Sequence, residues 1–419
     1  MKIRLVVFHH PESHSPPEIF SHLHQHFELI WLLPEKELDH ATIRFCERSG
    51  AVLAASGLDP SEIANRLRPF KPDGAISFVD PTLRLCTEVA LQLGLATNSR
   101  ETCSIALDKY RQRKVFRDAG LPGPSFCLLR AGQSSQEIVA LTRNMRWPLV
   151  LKLRCASASR GMHLVTDQHH LASLWGNIQG SDWLVEEYLG NPSESHLGPF
   201  GDYVSVESIV ARGEIHHAVV TGRFPLASRF RETGNFMPSP LTQEDEAAVA
   251  ALAEAAIRAS GIETGAAHTE IKLTETGPSL IELNGRLGGR PPVLLSMVKG
   301  SDLFLAAAQA AVGQKPGVVP LQRPKPCPFW WMLQPPEGAV AIERIDRLED
   351  VARLSCVKRV IAHSRPGDPI ELAQGTFTRI LSVIGVCENL DQLAQIPQLI
   401  MDRLAVTWRY GGADFSFSA

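Results

Sequence analysis

Four polar side chains in the stretch GAAHTEIKLTETGPSLIELNGRLGG, residues 265–289, have the types and spacing to bind a metal-nucleotide: Glu270, Glu282, Asn284 and Arg286. In HTEIKL the apolar Ile271 and Leu273 alternate with Glu270 and Lys272, and in LIELN Ile281 and Leu283 alternate with Glu282 and Asn284. Both segments read as strands, with Thr274 to Pro278 as the turn. A hairpin symmetric about Thr276 sets Glu270 opposite Glu282, where two carboxylates within ~5 Å repel unless a cation lies between them. The plain alternative is a solvated hairpin face. Asn284 adds a neutral oxygen donor and Arg286 a fixed cation, a set that suits Mg²⁺ carrying phosphates better than zinc or free calcium.

Elsewhere the signals are single residues. Lys152 lies inside the apolar run WPLVLKL, where an unpaired ammonium is costly, so a phosphate partner is expected. Glu207 alternates with Val204 and Val206 and therefore faces away from the core, toward ribose or only toward water. His22 and His26 have helical spacing, but His24 lies off that face and no close acidic partner is expected. They, His9-His10, His169-His170 and His216-His217 read as surface histidines.

Positioning these groups takes a mixed α/β and α+β chain. The length of 419 residues suits two or three domains, and 42 basic against 45 acidic residues leave a net charge of -3. No global field favours nucleic acid or an anionic membrane. Eight scattered cysteines without a CxxC pair fit a reducing cytosol, and no apolar run approaches signal-peptide or transmembrane form, so a soluble cytoplasmic protein is expected. Strands at Ile3–Phe8, Phe27–Leu33, 51–54 and 74–79 alternate with helices near 17–26, 61–68 and 81–93. This N-terminal doubly wound α/β unit, residues 1–103, has no glycine fingerprint after its first strand and is expected to supply substrate contacts. A helix over 108–119 ends at Gly120. Strand 147–153, the small-residue loop CASASRG and return strand 162–165 follow, then helix 168–178, strand 183–188, strands 203–211 and 215–221, and an Ala-rich helix opened by Thr242. Lys315 to Pro328 reads as a linker before a small C-terminal α+β unit with strands around Gly338, Val360 and Gly375 and a helix near 390–404.

The order of Lys109, Lys152, the loop holding Ser157, Ser159 and Gly161, the strand end Glu186-Glu187-Tyr188-Leu189, and Glu270, Glu282 and Asn284 resembles the ATP-grasp superfamily. The resemblance covers roughly 100–313, so that the chain divides at 1–103, 104–313 and 314–419. It implies adenine between two α+β subdomains with backbone hydrogen bonds from the strand end, both lysines on the phosphates, and Mg²⁺ on the two carboxylates and Asn284. Two metal ions are the expectation, with Mn²⁺ as an alternative. VEEYLGNP, FRETGNFMPS and GAAHTEIKL look most like the bacterial L-amino acid ligases, which make dipeptides. That likeness implies Glu232 facing a substrate ammonium and Arg286 the carboxylate and its phosphorylated form. Asn235 stands where those ligases often carry histidine, and Arg290 where the best-studied type has a bulky aromatic limiting the side-chain pocket. The implied reaction is ATP-dependent amide formation through an acyl phosphate from small-molecule carboxylate and amine, with the loop closing over the phosphates. A homodimer stays open. Competing readings are a carboxylase or a ligase of non-amino-acid carboxylates, and a non-catalytic ATP-binding module.

Overall fold

The computed structural model describes residues 2–178, 180–190 and 197–411. Asn191 and Pro192 of VEEYLGNP and residues 193–196 of the polar loop after it lie outside them.

The N-terminal sheet is all parallel, in the order β3-β2-β1-β4, from β1 (Ile3–Phe8), β2 (Phe27–Leu33), β3 (Ala51–Ala54) and β4 (Gly74–Ser77). Its strands are near-continuous apolar runs because both faces are covered. Val6, Phe8, Ile30 and Leu32 pack under helices Pro60–Leu67 and Asp80–Leu93. Leu5, Val7, Leu29 and Trp31 share the opposite core with Phe304, Ala307 and Ala311 of helix Leu303–Ala311, a helix for which the sequence reading has no counterpart. That helix also reaches Ile209 and Ala266, so the unit is packed against the sheet that carries Glu270 and Glu282.

A second sheet is antiparallel, ordered β5-β8-β6-β7, from β5 (Phe126–Leu129), β6 (Leu149–Leu153), β7 (His163–Val165) and β8 (Trp183–Glu187). The third holds eight strands in the order β13-β12-β9-β10-β11-β14-β17-β16. Its members are β9 (Tyr203–Ala211), β10 (Glu214–Arg223), β11 (Gly234–Phe236), β12 (Thr264–Thr274), β13 (Gly277–Asn284), β14 (Cys327–Leu333), β16 (Val357–Ala362) and β17 (Leu381–Cys387), while β15 (Ala339–Asp346) forms a separate two-stranded sheet with β18 (Ala405–Tyr410).

Three C-terminal strands thus extend the sheet that bears Glu270. The proline-rich stretch expected to be a linker is docked instead: the Leu321 and Gln322 amides donate to the carbonyls of His217 and Ala218 on β10, at 3.0 and 2.8 Å. Nor is there a strand at Gly375. Residues Leu372–Thr378 form a 3₁₀ helix in which Gly375 takes φ 62°, and a Cβ there would collide with the Ala158 carbonyl oxygen. Two groups of histidines also depart from the surface reading. His9 is 4% exposed and pushed by burial, then by His10, down to about 4, and His22 Nδ1 lies 2.8 Å from Asp302, an acidic partner far away in sequence.

Candidate active site

The hairpin β12–β13 pairs Glu270 with Glu282, but not by the symmetric turn inferred from sequence. Thr274 pairs with Gly277 around the two-residue turn Glu275-Thr276, a register that, if unbroken, would set Glu270 opposite Ile281. An irregularity between Glu270 and Ile271 admits one extra residue on β13 and restores Glu282. It also changes which apolar residues face inward: Leu280 and Leu283 are fully buried, whereas Ile281 lines the cavity beside Glu282. Burial alone would raise the Glu270 carboxyl, yet the His268 hydrogen bond at 3.1 Å and the Arg223 guanidinium at 3.6 Å bring it down to about 2. Glu282 Oε1 accepts from Lys109 Nζ at 2.7 Å, and Asn284 ends β13 at 6% exposure. Among the described residues no three His, Cys, Asp or Glu converge as a closed metal cage. An ionised carboxylate, a second one opposite and an amide are hard oxygen donors, and they leave coordination positions for phosphate and water. The set fits Mg²⁺.

Behind this hairpin runs a polar row that the sequence reading missed. Glu207, His268 and Asn284 are cross-strand neighbours on β9, β12 and β13. His268 Nδ1 lies 2.5 Å from Glu207 Oε1, and Gly288 N donates to Glu207 Oε2 at 3.0 Å. Glu207 is 0% exposed, so it meets neither ribose nor water; its carboxylate is consumed by this row. Burial opposes the His268 imidazolium, but Glu207 and Glu270 outweigh it and raise it to about 9. Arg223, 2% exposed, donates to Glu232 at 2.9 Å and lies over the Tyr203 ring. Alternation in HTEIKL puts His268 and Lys272 on the Glu270 face and was the available signal for both. Lys272 Nζ lies 2.6 Å from Asp202 and 5.2 Å from the Tyr188 ring centre.

Lys152 is buried on β6, as its apolar surroundings imply, but it is not unpaired. Its Nζ lies 2.6 Å from Glu186 Oε2 on β8, and Arg113 grips the same carboxylate through Nε and Nη2. The Glu186 side chain is therefore an internal counter-ion to both cations, at the border of the cavity. Burial lowers the Lys152 pKa and Glu186 works against that shift. Arg113 also donates to the Leu280 and Ile281 carbonyls at 3.1 and 2.5 Å, which ties the ion pair to the hairpin. Of the strand end, Glu187 accepts the Arg146 amide at 2.9 Å, and the amides of Glu187 and Tyr188 donate to Ser125 and Pro148 at 3.0 Å. The Tyr188 and Leu189 side chains line the cavity.

Asp108 caps helix Lys109–Asp118 by accepting the Tyr110 and Arg111 amides and also receives Arg154 Nη2 at 2.7 Å, which places Lys109 beside the small-residue loop. Lys109 Nζ donates to the Ala156 carbonyl as well as to Glu282. Within the loop Ser159 Oγ donates to Phe230 O at 2.8 Å, Ser157 Oγ accepts from Arg160 at 3.0 Å, and Gly161 takes φ 67°. Arg160 reaches Glu12 of the N-terminal unit at 3.1 Å, and the Thr376 amide donates to Ala158 O at 2.9 Å. The loop is thereby held from both ends of the chain.

Every site residue expected from the sequence, apart from Glu207 and Gly161, borders one cavity of about 510 Å³. Glu232, Asn235, Arg286 and Arg290 are among them. Asn235 is 3% exposed and its Oδ1 has no donor. Arg286 is clamped through Nε and Nη2 to Asp80, at 3.1 and 2.9 Å. Asp80 begins the last helix of the N-terminal unit and lies 206 residues from Arg286 in sequence; no local pattern announces that pair. Arg290 lies over Trp330, its Cζ 4.2 Å from the ring centre.

Residues 145–291 match the family model described as an ATP-grasp domain. Mouse carnosine synthase 1 is 30% identical over 268 residues, covering 60% of this chain and 32% of its own length. Alanine–anticapsin ligase of Bacillus subtilis is 26% identical over 229 residues, 51% of this chain and 47% of its own. This chain therefore spans a third to a half of those two relatives. An L-amino acid ligase from Bacillus licheniformis superposes with a TM-score of 0.75 at 20% identity, over 97% of this chain and 99% of that one. Other solved chains of this fold carry ADP with magnesium, or ATP. Among the described residues no helix is long and apolar enough to cross a membrane.

Proposed function

We propose that this chain, whose residues 145–291 are an ATP-grasp domain, is an ATP-dependent ligase that joins the carboxylate of one small molecule to the amine of another through an acyl phosphate. Amino acids are the substrates this reading favours. One observation carries it: a single cavity gathers Lys109, Lys152, Glu270, Glu282 and Arg286 and also borders Glu232 and the unpartnered acceptor of Asn235. The first group suits a metal-bound triphosphate and the second an ammonium. Similarity to proteins named carnosine synthase and alanine–anticapsin ligase supports the same reading.

A carboxylate does not react with an amine at neutral pH because oxide is a poor leaving group. Transfer of the γ-phosphoryl group breaks its bond to ADP and forms one to the carboxylate oxygen; the amine nitrogen then attacks the acyl carbon, phosphate leaves, and the nitrogen sheds a proton. Glu270, Glu282 and Asn284 would hold Mg²⁺, which when bound offsets negative charge on the β- and γ-phosphate oxygens. Lys109 and Lys152 would hold the α- and β-phosphates, and the carboxylate would sit in line with the γ-phosphorus. Arg286, aimed by Asp80, would stabilise charge on the transferred phosphoryl group and on the tetrahedral oxyanion. Glu232 and Asn235 Oδ1 would accept from a substrate ammonium. The loop around Ser157 and Ser159 would exclude water from the acyl phosphate.

The test is a matrix of amino-acid pairs scored for ADP, phosphate and condensed product by mass. Glu282→Ala should lose at least about a hundredfold in turnover, since it removes a carboxylate that would hold the Mg²⁺ offsetting the phosphate charge. Turnover indifferent to that substitution, or ADP release without a condensed product across the matrix, would overturn the reading.

A further inference from the structure

Of the arginines that line the cavity and that the reaction above does not use, Arg290 and Arg379 are half-buried and have no ion-pair partner among the described residues. Arg290 follows the hairpin, and Arg379 follows the 3₁₀ helix that braces the small-residue loop. Each Nε is buried and has no acceptor. The remaining contacts of Arg290 are weak: Nη1 to Gly289 O at 3.4 Å and Nη2 to Met332 Sδ at 3.8 Å. Arg379 lies 5.5 Å from the Phe377 ring centre.

Among the described residues no carboxylate forms an ion pair with either arginine. The carboxylates whose charge reaches Arg290 are Glu232 and Glu18, and each is engaged elsewhere, Glu232 by Arg223 at 2.9 Å and Glu18 by His14 at 3.1 Å. Burial and then Arg379 push Arg290 down to about 10. His363, against the same wall, is pushed by burial and then by both arginines down to about 4 and adds no negative charge. Two neighbouring guanidiniums with unfilled buried donors are a costly arrangement unless an anion completes them, and a planar group with two oxygens is their geometric complement.

Sheet order says which anion. Trp330, the platform under Arg290, lies on β14, four strands from the strand of Glu270 in the sheet order, and Asn235 is its direct cross-strand partner. An amino acid whose ammonium rests on Asn235 and Glu232 therefore extends its side chain toward the arginine pair. We infer that Arg290 and Arg379 form a subsite for a carboxylate that does not react, carried on the side chain, so that one substrate is an acidic amino acid of the aspartate or glutamate type. This inference rests on the ligase reading for its substrate, but its test does not depend on turnover.

Thermal unfolding is followed in the presence of a non-hydrolysable ATP analogue with Mg²⁺ and each of L-aspartate, L-glutamate, L-asparagine and L-glutamine. One of the acids should raise the wild-type midpoint while its amide does not, and Arg379→Gln should abolish the shift. Arg379→Lys should restore part of it. In turnover, KM for the acid should rise about tenfold or more in Arg379→Gln with kcat changed less than about threefold, since one charged hydrogen-bonding group is lost away from the reacting atoms. Arg290→Gln should act in the same direction; Arg379→Gln is the cleaner variant because Arg290 also covers Trp330. Equal binding of acids and amides overturns the subsite. So does an Arg379→Gln defect in the affinity of the ATP analogue, or one that follows the α-carboxylate when glycine is compared with glycinamide. Acid binding that survives without any condensed product overturns the ligase reading and leaves the subsite standing.

Discussion

Replacing Glu186 with glutamine is expected to destabilise the protein and weaken ATP binding, with opposite dependence on pH. The carboxylate lies between Lys152 and Arg113, and all three side chains are about 5% exposed or less. Removing one member of a buried ion pair costs about 3–5 kcal/mol because the remaining charges stay desolvated. With an unfolding entropy near 2.1 cal/mol/K per residue, 419 residues give about 0.9 kcal/mol/K, so the midpoint near pH 7 should fall by about 3–6 °C. Burial already lowers the Lys152 pKa, and without Glu186 it falls further. A lysine whose folded pKa is depressed weakens the fold below that pKa, where the ammonium must stay buried, and the penalty fades as pH rises through it and the amine goes neutral. The midpoint difference between Glu186→Gln and wild type should therefore shrink from pH 7 to pH 9. Over the same range ATP affinity, measured by calorimetry, should drop more steeply in the variant, since a neutral Lys152 no longer attracts phosphate. A midpoint within 1 °C of wild type at pH 7, or an ATP affinity loss that does not grow with pH, would refute the chain from Glu186 through Lys152 to nucleotide.

Asp80→Asn leaves the Arg286 side chain in place but removes the charge that aims it. A charge-assisted pair contributes about 1.5–3 kcal/mol, so kcat for condensation should fall roughly 10- to 100-fold with KM for ATP little changed; steady-state kinetics giving a KM effect alone would remove Arg286 from the chemical step. Gly375→Ala forces a Cβ toward Ala158 O in a positive-φ backbone, φ 62° and ψ -135°, that costs a non-glycine residue about 1–3 kcal/mol. The displaced loop should admit water to the acyl phosphate. Phosphate released per mole of condensed product should rise above the wild-type ratio, and an unchanged ratio would mean that the docked loop does not guard the intermediate.

What a sequence can say about such a site follows from the range of each interaction. Alternation in HTEIKL and LIELN is local, so the facing carboxylates are legible in the order of residues alone, although the route to them is not: the turn is one residue tighter than symmetry about Thr276 requires, and the irregularity beside Ile271 makes up the difference. A one-residue slip exchanges the two faces of a strand, which is why Ile281 and Leu280 trade places between cavity and core while Glu282 stays on target. Burial of Lys152 is equally legible from WPLVLKL. Its neutralisation is not, because Glu186 becomes its neighbour only through the β6–β8 pairing, Val150 opposite Glu186 and Lys152 opposite Leu184. Glu207 fails for the same reason in reverse: alternation correctly turns it from one core, but the face it turns to is closed by His268 and the Gly288 amide. Periodicity thus identifies a side chain's face, whereas the partner that decides its charge comes from strand order. Arg286 and Asp80, on different units, are the limiting case, and they make the arginine's aim a property of how the N-terminal unit docks.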